Sequence, residues 1–455
     1  MRIHFIAIGG AVMHNLALAL HKKGYGVTGS DDEIFEPSRS RLEKAGLLPE
    51  SEGWNRDRIT KDIDVLILGM HAREDNPELQ RALELGLQIK SFPEFLYEQT
   101  LNKTRVVIGG SHGKTTITSM IMHVLRYHGV TFDYMVGAVI EGFETMVGLS
   151  ESSEIAVFEG DEYLASTLDR QPKFHLYKPH IAVISGIAWD HMNVFPTRED
   201  YLEQFRIFIN KMMAGGSLIY SRDDAEVTKL VNTSQKELNY IPYSEHPSRI
   251  IEGKTYLVHE DQAYPFSVFG RHNMQNINAA KSVCELLGIS PKMFYHAIQG
   301  FKGAAKRMQL LEENRKTAVY LDFAHAPSKV KATTLALKEQ YPERLLTAVL
   351  ELHTYSSLSA EFLPQYEASM LAADKAIVYF SPHTVAHKKL PEISADQVKA
   401  AFKQPDLWVY TDADKLVKDL LNSGWQGSNL LIMTSGNFDG QDLPSLAKSI
   451  IQEEN

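Results

Sequence analysis

The residues best suited to chemistry lie in the stretch RVVIGGSHGKTT, residues 105–116. An apolar run, Val106 to Ile108, reads as a buried strand, and a helix reopens from Lys114 to about Tyr127. Between them stand Gly110, Ser111, His112 and Gly113, followed by Lys114, Thr115 and Thr116. A glycine-rich loop lets backbone N–H groups curl around an anion. The helix N-terminus adds a favourable dipole, and Lys114 adds a point charge. Thr115 occupies the place where a P-loop hydroxyl meets Mg²⁺. Ile108 stands where the general P-loop has its first glycine, so the motif here is the short form G-S-H-G-K-T-T. A glycine turn with a chance lysine does not account for strand, GKT and helix in that order. Nucleotide phosphate binding does.

Two further strand ends carry suitable groups. Ile155–Phe158 runs into Glu159-Gly160-Asp161-Glu162, and Ile181–Ser185 leads to Asp190-His191. In an open parallel sheet ligands gather beyond the carboxyl ends of the strands, so Lys114, Glu159 and His191 are expected to converge. A carboxylate and an imidazole beside a P-loop suit Mg²⁺ held by nucleotide phosphates. Taken singly, Glu159 also reads as a surface acid and His191 as a hydrogen-bonded structural histidine. Further on, His272, Asn273 and Asn276 precede an amphipathic helix. The asparagines either cap it or read a base edge with paired donor and acceptor. In the last third, strands Ala318–Leu321, Leu346–Leu350 and Leu430–Met433 end at Asp322-Phe323-Ala324-His325, Glu351-Leu352-His353-Thr354-Tyr355 and the loop 434–440. These polar strand ends outline a pocket for a second substrate; taken singly, each also reads as an ordinary solvated loop residue.

The elements that must position these groups are those of an α/β protein. The chain opens with strand His4–Ile8, a turn at Gly9-Gly10 and a helix carrying Val12, Leu16, Ala17 and Leu20. A strand Gly26–Thr28 ends at Ser30-Asp31, and Val65–Leu68 ends near His71. That order is Rossmann-like, with Asp31 about where an acid meets a ribose. Its glycine fingerprint is incomplete, since Ala7 and His14 hold two of the glycine places. A single-nucleotide or nucleotide-sugar site is therefore as open as a nicotinamide site. The reading is three domains: a Rossmann-like 1–103, a central P-loop ATPase-type 104–305 with a mostly parallel sheet, and a Rossmann-like 306–455. The 455 residues exceed one core. A net charge of −10 argues against nucleic acid or an anionic membrane as partner. The one cysteine, Cys284, excludes a disulfide framework, fits a reducing cytoplasm and reads as a small core residue. No apolar run approaches the roughly 20 residues of a membrane span.

Together these residues resemble the Mur ligases, ATP-dependent amide-bond formers of peptidoglycan metabolism. The likeness runs nearly end to end and in order: G-S-H-G-K-T-T, E-G-D-E at 159–162, Asp190-His191, G-R-H-N-M-Q-N at 270–276, Lys306-Arg307 and D-F-A-H-A-P at 322–327. Gln204-Phe205-Arg206 stands where other branches carry a modified lysine, which fits the branch that uses UDP-N-acetylmuramate. That branch adds either L-alanine or, in murein recycling, the tripeptide L-Ala-γ-D-Glu-meso-diaminopimelate. Phe143-Glu144, Tyr163, Lys173-Phe174 with Tyr177 and Pro179, and S-G-N-F-D-G at 435–440 are nearer the tripeptide-adding members. Ala326, and His353-Thr354-Tyr355-Ser356, are not.

The resemblance implies a reaction. The lactoyl carboxylate of UDP-N-acetylmuramate takes the γ-phosphate of ATP, and the acceptor's amine attacks the acyl phosphate. Gly110 to Thr116, with Asn273, Asn276, Arg307 and Asp322, would bind ATP, and the asparagines would read adenine. Thr115, Glu159 and His191 would hold Mg²⁺. Lys114, Glu159, His191 and Arg307 would be catalytic. Gly10, Ser30, Asp31 and His71 would line the UDP-sugar site, and His325, His353 and Tyr355 the acceptor site. A P-loop switch without ligase chemistry leaves the two flanking segments unexplained. A nicotinamide oxidoreductase leaves the P-loop unexplained.

Overall fold

The structure, a computed structural model, describes residues 1–70, 72–189, 194–404 and 406–452. The chain divides into two compact units, Met1–Ser244 with Gln275–Ile298, and Glu245–Met274 with Gln299–Asn455.

The first unit holds two sheets. The smaller has four parallel strands in the order Gly26–Ser30, Arg2–Ile6, Val65–Leu68, Gln88–Ser91. Strands covered on both faces read as continuous apolar runs, as in fully buried Val65–Leu68. Helix Ala11–Lys22 presses Leu16, Ala17 and Leu20 into the core that holds Ile3 and Phe5. The first strand stops at Ile6, two residues before the sequence suggests. Ala7 takes φ +68°, and the N–H groups of Ala7 and Ile8 both donate to the Ser30 carbonyl, at 2.9 and 3.0 Å. Apolar character carries on past Ile6, but the backbone direction does not.

The larger sheet has seven strands in the order Asn239–Tyr243, Ser217–Ser221, Ile181–Ile184, Thr104–Gly109, Ile155–Glu159, Phe132–Met135, Val147–Gly148, with only the last antiparallel. Thr104–Gly109 lies at its centre, with Ile108 opposite Glu159 and Gly109 opposite Ile184. This register brings three carboxyl ends side by side. Helix Lys114–Tyr127 buries Ile117, Met120, Ile121, Val124 and Leu125 completely. Beside the sheet Phe174 stacks on Phe208 at 4.5 Å, and Tyr201 meets Phe205 edge-on at 5.3 Å. Each such pair contributes about 1 kcal/mol beyond its buried area. Cys284 is fully buried, and burial pushes its thiol pKa up.

The second unit combines an antiparallel sheet, Ser248–Ile251, Lys254–His259, Gln262–Phe266, with a six-stranded one. The latter runs Gln309–Glu313, Ala318–Asp322, Ser428–Met433, Leu345–Leu352, Lys375–Phe380, Trp408–Tyr410, and only its first strand is antiparallel. Alternate residues feed different cores. Tyr320, Ala348, Leu350 and Leu431 enter one, and Val319, Val349, Leu430 and Ile432 the other. A period of two with both faces apolar means helices cover both sides. Among the described residues no helix is long and apolar enough to cross a membrane.

Candidate functional site

The loop 110–113 leaves the central strand where glycine is required. Gly110 has φ +125° and Gly113 φ +77°, values that side chains rarely adopt. At Gly113 space forbids a side chain as well, because a Cβ would overlap the Asn276 amide. Asn276 is thereby seated against the P-loop, although 163 residues separate the two in sequence. The serine and histidine of the loop are tied to the neighbouring strand end. Ser111 N–H donates to Gly186 O at 2.9 Å, its hydroxyl meets Ala188 O at 2.8 Å and Tyr201 Oη at 2.9 Å, and the His112 carbonyl accepts from the Ser185 hydroxyl. Lys114, Thr115 and Thr116 form the first helical turn, where the geometry of a helix leaves N–H groups without carbonyls.

The charged groups around this loop are paired. Lys114 Nζ lies 2.6 Å from Glu162 Oε2 and 2.8 Å from Gly110 O. Burial pushes its ammonium pKa down, but Glu162, Asp161 and Glu159 outweigh burial and hold it above the ordinary lysine value. Lys114 is therefore charged at neutral pH. Glu162 is anchored from its other oxygen by Tyr201 Oη at 3.1 Å. The Thr115 hydroxyl donates to Glu159 Oε1 at 2.9 Å, and Gly137 N–H donates to Glu159 Oε2 at 2.7 Å. Thr115 and Glu159 thus offer two adjacent hard oxygens. That suits Mg²⁺, which keeps most of its waters and takes few protein ligands. Asp190, His191 and His71 lie outside the described residues. Among those described, no group of three or more His, Cys, Asp or Glu could hold a metal by itself.

At the first sheet's carboxyl edge, Gly10 caps helix Ala11–Lys22 and its carbonyl meets His14 Nδ1 at 2.9 Å. Burial lowers the His14 pKa. Asp31 Oδ2 accepts Gly9 N–H at 2.7 Å. Burial, then the neighbouring Asp32, push its carboxyl up to about 7. Ser30 is fully buried and turns away from this turn, its hydroxyl donating to buried Glu78. Glu78 also accepts Asn55 N–H at 2.9 Å and sits 3.4 Å from His4 Nε2.

In the second unit, Asn273 donates to Phe269 O at 2.8 Å. Arg307 stacks over the Phe323 ring at 4.6 Å, between Lys306 and Met308, both at positive φ. Asp322 is buried and clamps that segment: it accepts Met308 N–H at 2.6 Å and Ala324 N–H at 2.7 Å. His325 Nδ1 meets Phe323 O at 2.9 Å, and the Tyr366 hydroxyl donates to the His325 carbonyl. Buried Glu351 accepts from the Thr434 hydroxyl and from Phe438 N–H at 3.2 Å, and stands 3.6 Å from His353 Nδ1. Tyr355 is exposed, with Lys388 over its ring at 4.4 Å.

The first unit thus brings together Lys114, Thr115, Glu159 and Asn276. The second ties Met308, the residue after Arg307, to Asp322, and brings His353 to the loop 434–440. Glu162 is signalled in the sequence only as part of the E-G-D-E motif, and Tyr201 and Gly137 carry no local signal.

Three family descriptions match the chain. They are a Mur ligase family catalytic domain at 2–104, a Mur ligase middle domain at 108–284 and a Mur ligase glutamate ligase domain at 306–437. A UDP-N-acetylmuramate–L-alanine ligase of Caldanaerobacter subterraneus subsp. tengcongensis is 31% identical over 96% of this chain and 95% of its own. A UDP-N-acetylmuramate–L-alanyl-γ-D-glutamyl-meso-2,6-diaminoheptandioate ligase of Escherichia coli is 27% identical over 97% and 96%. Among solved structures, a murein peptide ligase from Psychrobacter arcticus superposes with TM-score 0.67 at 23% identity, covering 99% of each chain. A UDP-N-acetylmuramate–alanine ligase from Thermotoga maritima gives 0.72 at 20% identity, covering 100% and 99%.

Proposed function

The chain belongs to the Mur ligase family, ATP-dependent enzymes that form amide bonds, and we propose that it joins UDP-N-acetylmuramate to the tripeptide L-Ala-γ-D-Glu-meso-diaminopimelate. Membership makes it a ligase and sets aside the nucleotide switch and the oxidoreductase. We read its domains as 1–103 for the UDP-sugar, 104–305 for ATP and 306–455 for the acceptor, spans close to those matched by the three family descriptions.

The observation that carries this reading is the P-loop cluster. A lysine held charged by Glu162, beside a threonine–glutamate pair, is ready to trade its carboxylate partner for phosphate. A carboxylate does not condense with an amine at neutral pH, because oxide would have to leave. In the proposed reaction a donor carboxylate oxygen bonds to the γ-phosphorus and ADP departs. The acceptor's α-amine then attacks the acyl carbon and phosphate leaves. Phosphoryl transfer of this kind is positioning plus charge neutralisation. Lys114 and the loop N–H groups hold phosphate oxygens, and Asn276 and Asn273 bind the adenine end. Thr115 and Glu159, with His191, would hold Mg²⁺, which would supply positive charge to the phosphates. Arg307 adds its guanidinium to the γ-phosphate, with Asp322 fixing the backbone of the next residue, Met308. His325, His353 and Tyr355 serve the acceptor. Asp31, Gly10 and His71 serve the nucleotide sugar, with Ser30 acting through Glu78. ATP and a UDP-sugar as substrates place the reaction in the cytoplasm.

The name of the Escherichia coli relative supports the tripeptide, as do Phe143-Glu144, Tyr163, Lys173-Phe174 and the loop 435–440. The second reading, L-alanine as acceptor, is favoured by His353-Thr354-Tyr355 and by the 31% identical relative. Phosphate release with UDP-N-acetylmuramate and each acceptor decides. The expected result is a kcat/KM for the tripeptide at least tenfold that for L-alanine. Equal or better use of L-alanine overturns the tripeptide, and release with neither overturns the donor.

A further inference from the structure

Beside the P-loop cluster stands an ammonium that the reaction above leaves unused. Lys173 opens the short helical turn Lys173–Leu176, and its own N–H donates to Tyr163 O at 2.9 Å. Its side chain is only 13% exposed. Nζ lies 2.6 Å from Asp161 Oδ2, 5.8 Å from the centre of the Tyr163 ring and 5.8 Å from that of Phe92. An ammonium has three N–H donors, and Asp161 engages one of them.

The placement is specific. Asp161 and Tyr163 follow the strand Ile155–Glu159 that flanks the P-loop. Phe92 belongs to the helix Phe92–Gln99 that follows the last strand of the smaller sheet. Within the first unit, Lys173 therefore sits where the proposed nucleotide-sugar segment meets the proposed ATP segment. A donor held by the first and phosphorylated at the second has to span this boundary. Its reacting group is a carboxylate that has to approach a γ-phosphate, and the two repel. Lys114 is occupied with the phosphate side. A second cation, largely desolvated and with donors to spare, offsets the remaining repulsion far better here than in open water. The flanking rings provide apolar walls against which a sugar or its lactoyl methyl can pack.

We propose that Lys173 holds the donor's reacting carboxylate against the γ-phosphate, with Asp161 holding the lysine in position until the donor arrives. In the step it assists, a carboxylate oxygen forms the new O–P bond while the bond from the γ-phosphorus to the β,γ-bridging oxygen breaks, and ADP leaves with that electron pair. No proton moves at Lys173, which stays an ammonium throughout. The inference rests on the ligase reading above, with UDP-N-acetylmuramate as donor.

The test compares wild type, Lys173→Gln, Lys173→Met and Lys173→Arg in a phosphate-release assay. UDP-N-acetylmuramate and ATP are each varied with the acceptor saturating, and binding of a fluorescent ATP analogue is measured alongside. The expected result for Gln and Met is a KM for UDP-N-acetylmuramate raised at least tenfold with kcat lowered, while the ATP-analogue Kd stays within twofold of wild type. Arg should restore part of the donor KM. If wild type itself releases no phosphate with UDP-N-acetylmuramate, the ligase reading with this donor falls. If wild type turns over and the neutral variants keep donor KM and kcat within twofold, only the role of Lys173 falls. Loss of folding in both neutral variants makes the lysine a structural ion-pair partner and likewise overturns the proposal.

Discussion

Carboxylates stand at strand ends in both units, yet they are spent differently. Around the P-loop, Glu162 and Asp161 face ammonium groups, and Glu159 faces a hydroxyl and one N–H. In the second unit, Asp322 and Glu351 face backbone N–H groups and threonine hydroxyls. The first arrangement is exchangeable. An anion that arrives can take the cation from its carboxylate, and the carboxylate can turn to a metal. The second is a clamp, because a buried carboxylate that lost its N–H donors would keep its desolvation cost with nothing to offset it. One strand-end pattern in the sequence thus yields a charge reserve in one place and a loop fastener in another.

The sharpest way to break this contrast is Lys114→Ala. The exchangeable cluster loses its cation, and turnover should fall by about a thousandfold or more, while circular dichroism stays native. Substantial ligase turnover in a folded variant would remove the P-loop from the mechanism. Arg307→Ala should lower kcat by about a hundredfold with little change in stability, since its visible contact is one ring face. Arg307→Lys should recover little, because an ammonium cannot reproduce the planar guanidinium. Full activity in Arg307→Lys would argue that any positive charge suffices. Glu351→Ala addresses the clamp. Removing the acceptor for Thr434 and Phe438 should cost about 2–3 kcal/mol in urea unfolding. A variant as stable as wild type would show that the loop 434–440 holds itself.

The smallest effect is expected at Asp31. Its folded pKa of about 7 lies above the unfolded value of 3.8. The native state therefore keeps a proton that the unfolded chain releases between these values. The stability this contributes is complete below the unfolded pKa and is lost as pH rises through about 7. Between pH 5 and 8 the Tm of wild type should drop relative to Asp31→Asn, by about 2 °C. Parallel melting curves across that range would contradict the shift.

Much of the fold was legible because its signals are local. Val106–Ile108, Val65–Leu68 and Leu430–Met433 are short apolar runs closed by glycine or polar residues, and all lie within strands. The sheet 248–266 was not foreseen. Its first strand is exposed along its whole length and its last contains Pro265, so neither periodicity nor propensity marks it. The direction of the chain at Ala7 was equally hidden, since alanine gives no warning of a positive φ. In the candidate site, the side chains of Lys114, Thr115 and Glu159 could be placed from the strand-ends rule alone. The partners of Lys114 and Ser30 could not. Glu162 and Glu78 lie 48 residues away from them in each case, and pairings of that span are decided by topology.

Cys284 gives the molecule a clock. It is the only thiol in the chain, it is fully buried in the helix Arg271–Leu286 that carries Asn276, and its pKa is raised by that burial. A thiol reagent reacts with the thiolate, so modification must wait for the segment to open. The labelling rate of the unaltered protein therefore times that opening, with no engineered probe. If ATP clasps Asn276 against the P-loop, adding a non-hydrolysable ATP analogue should slow the clock.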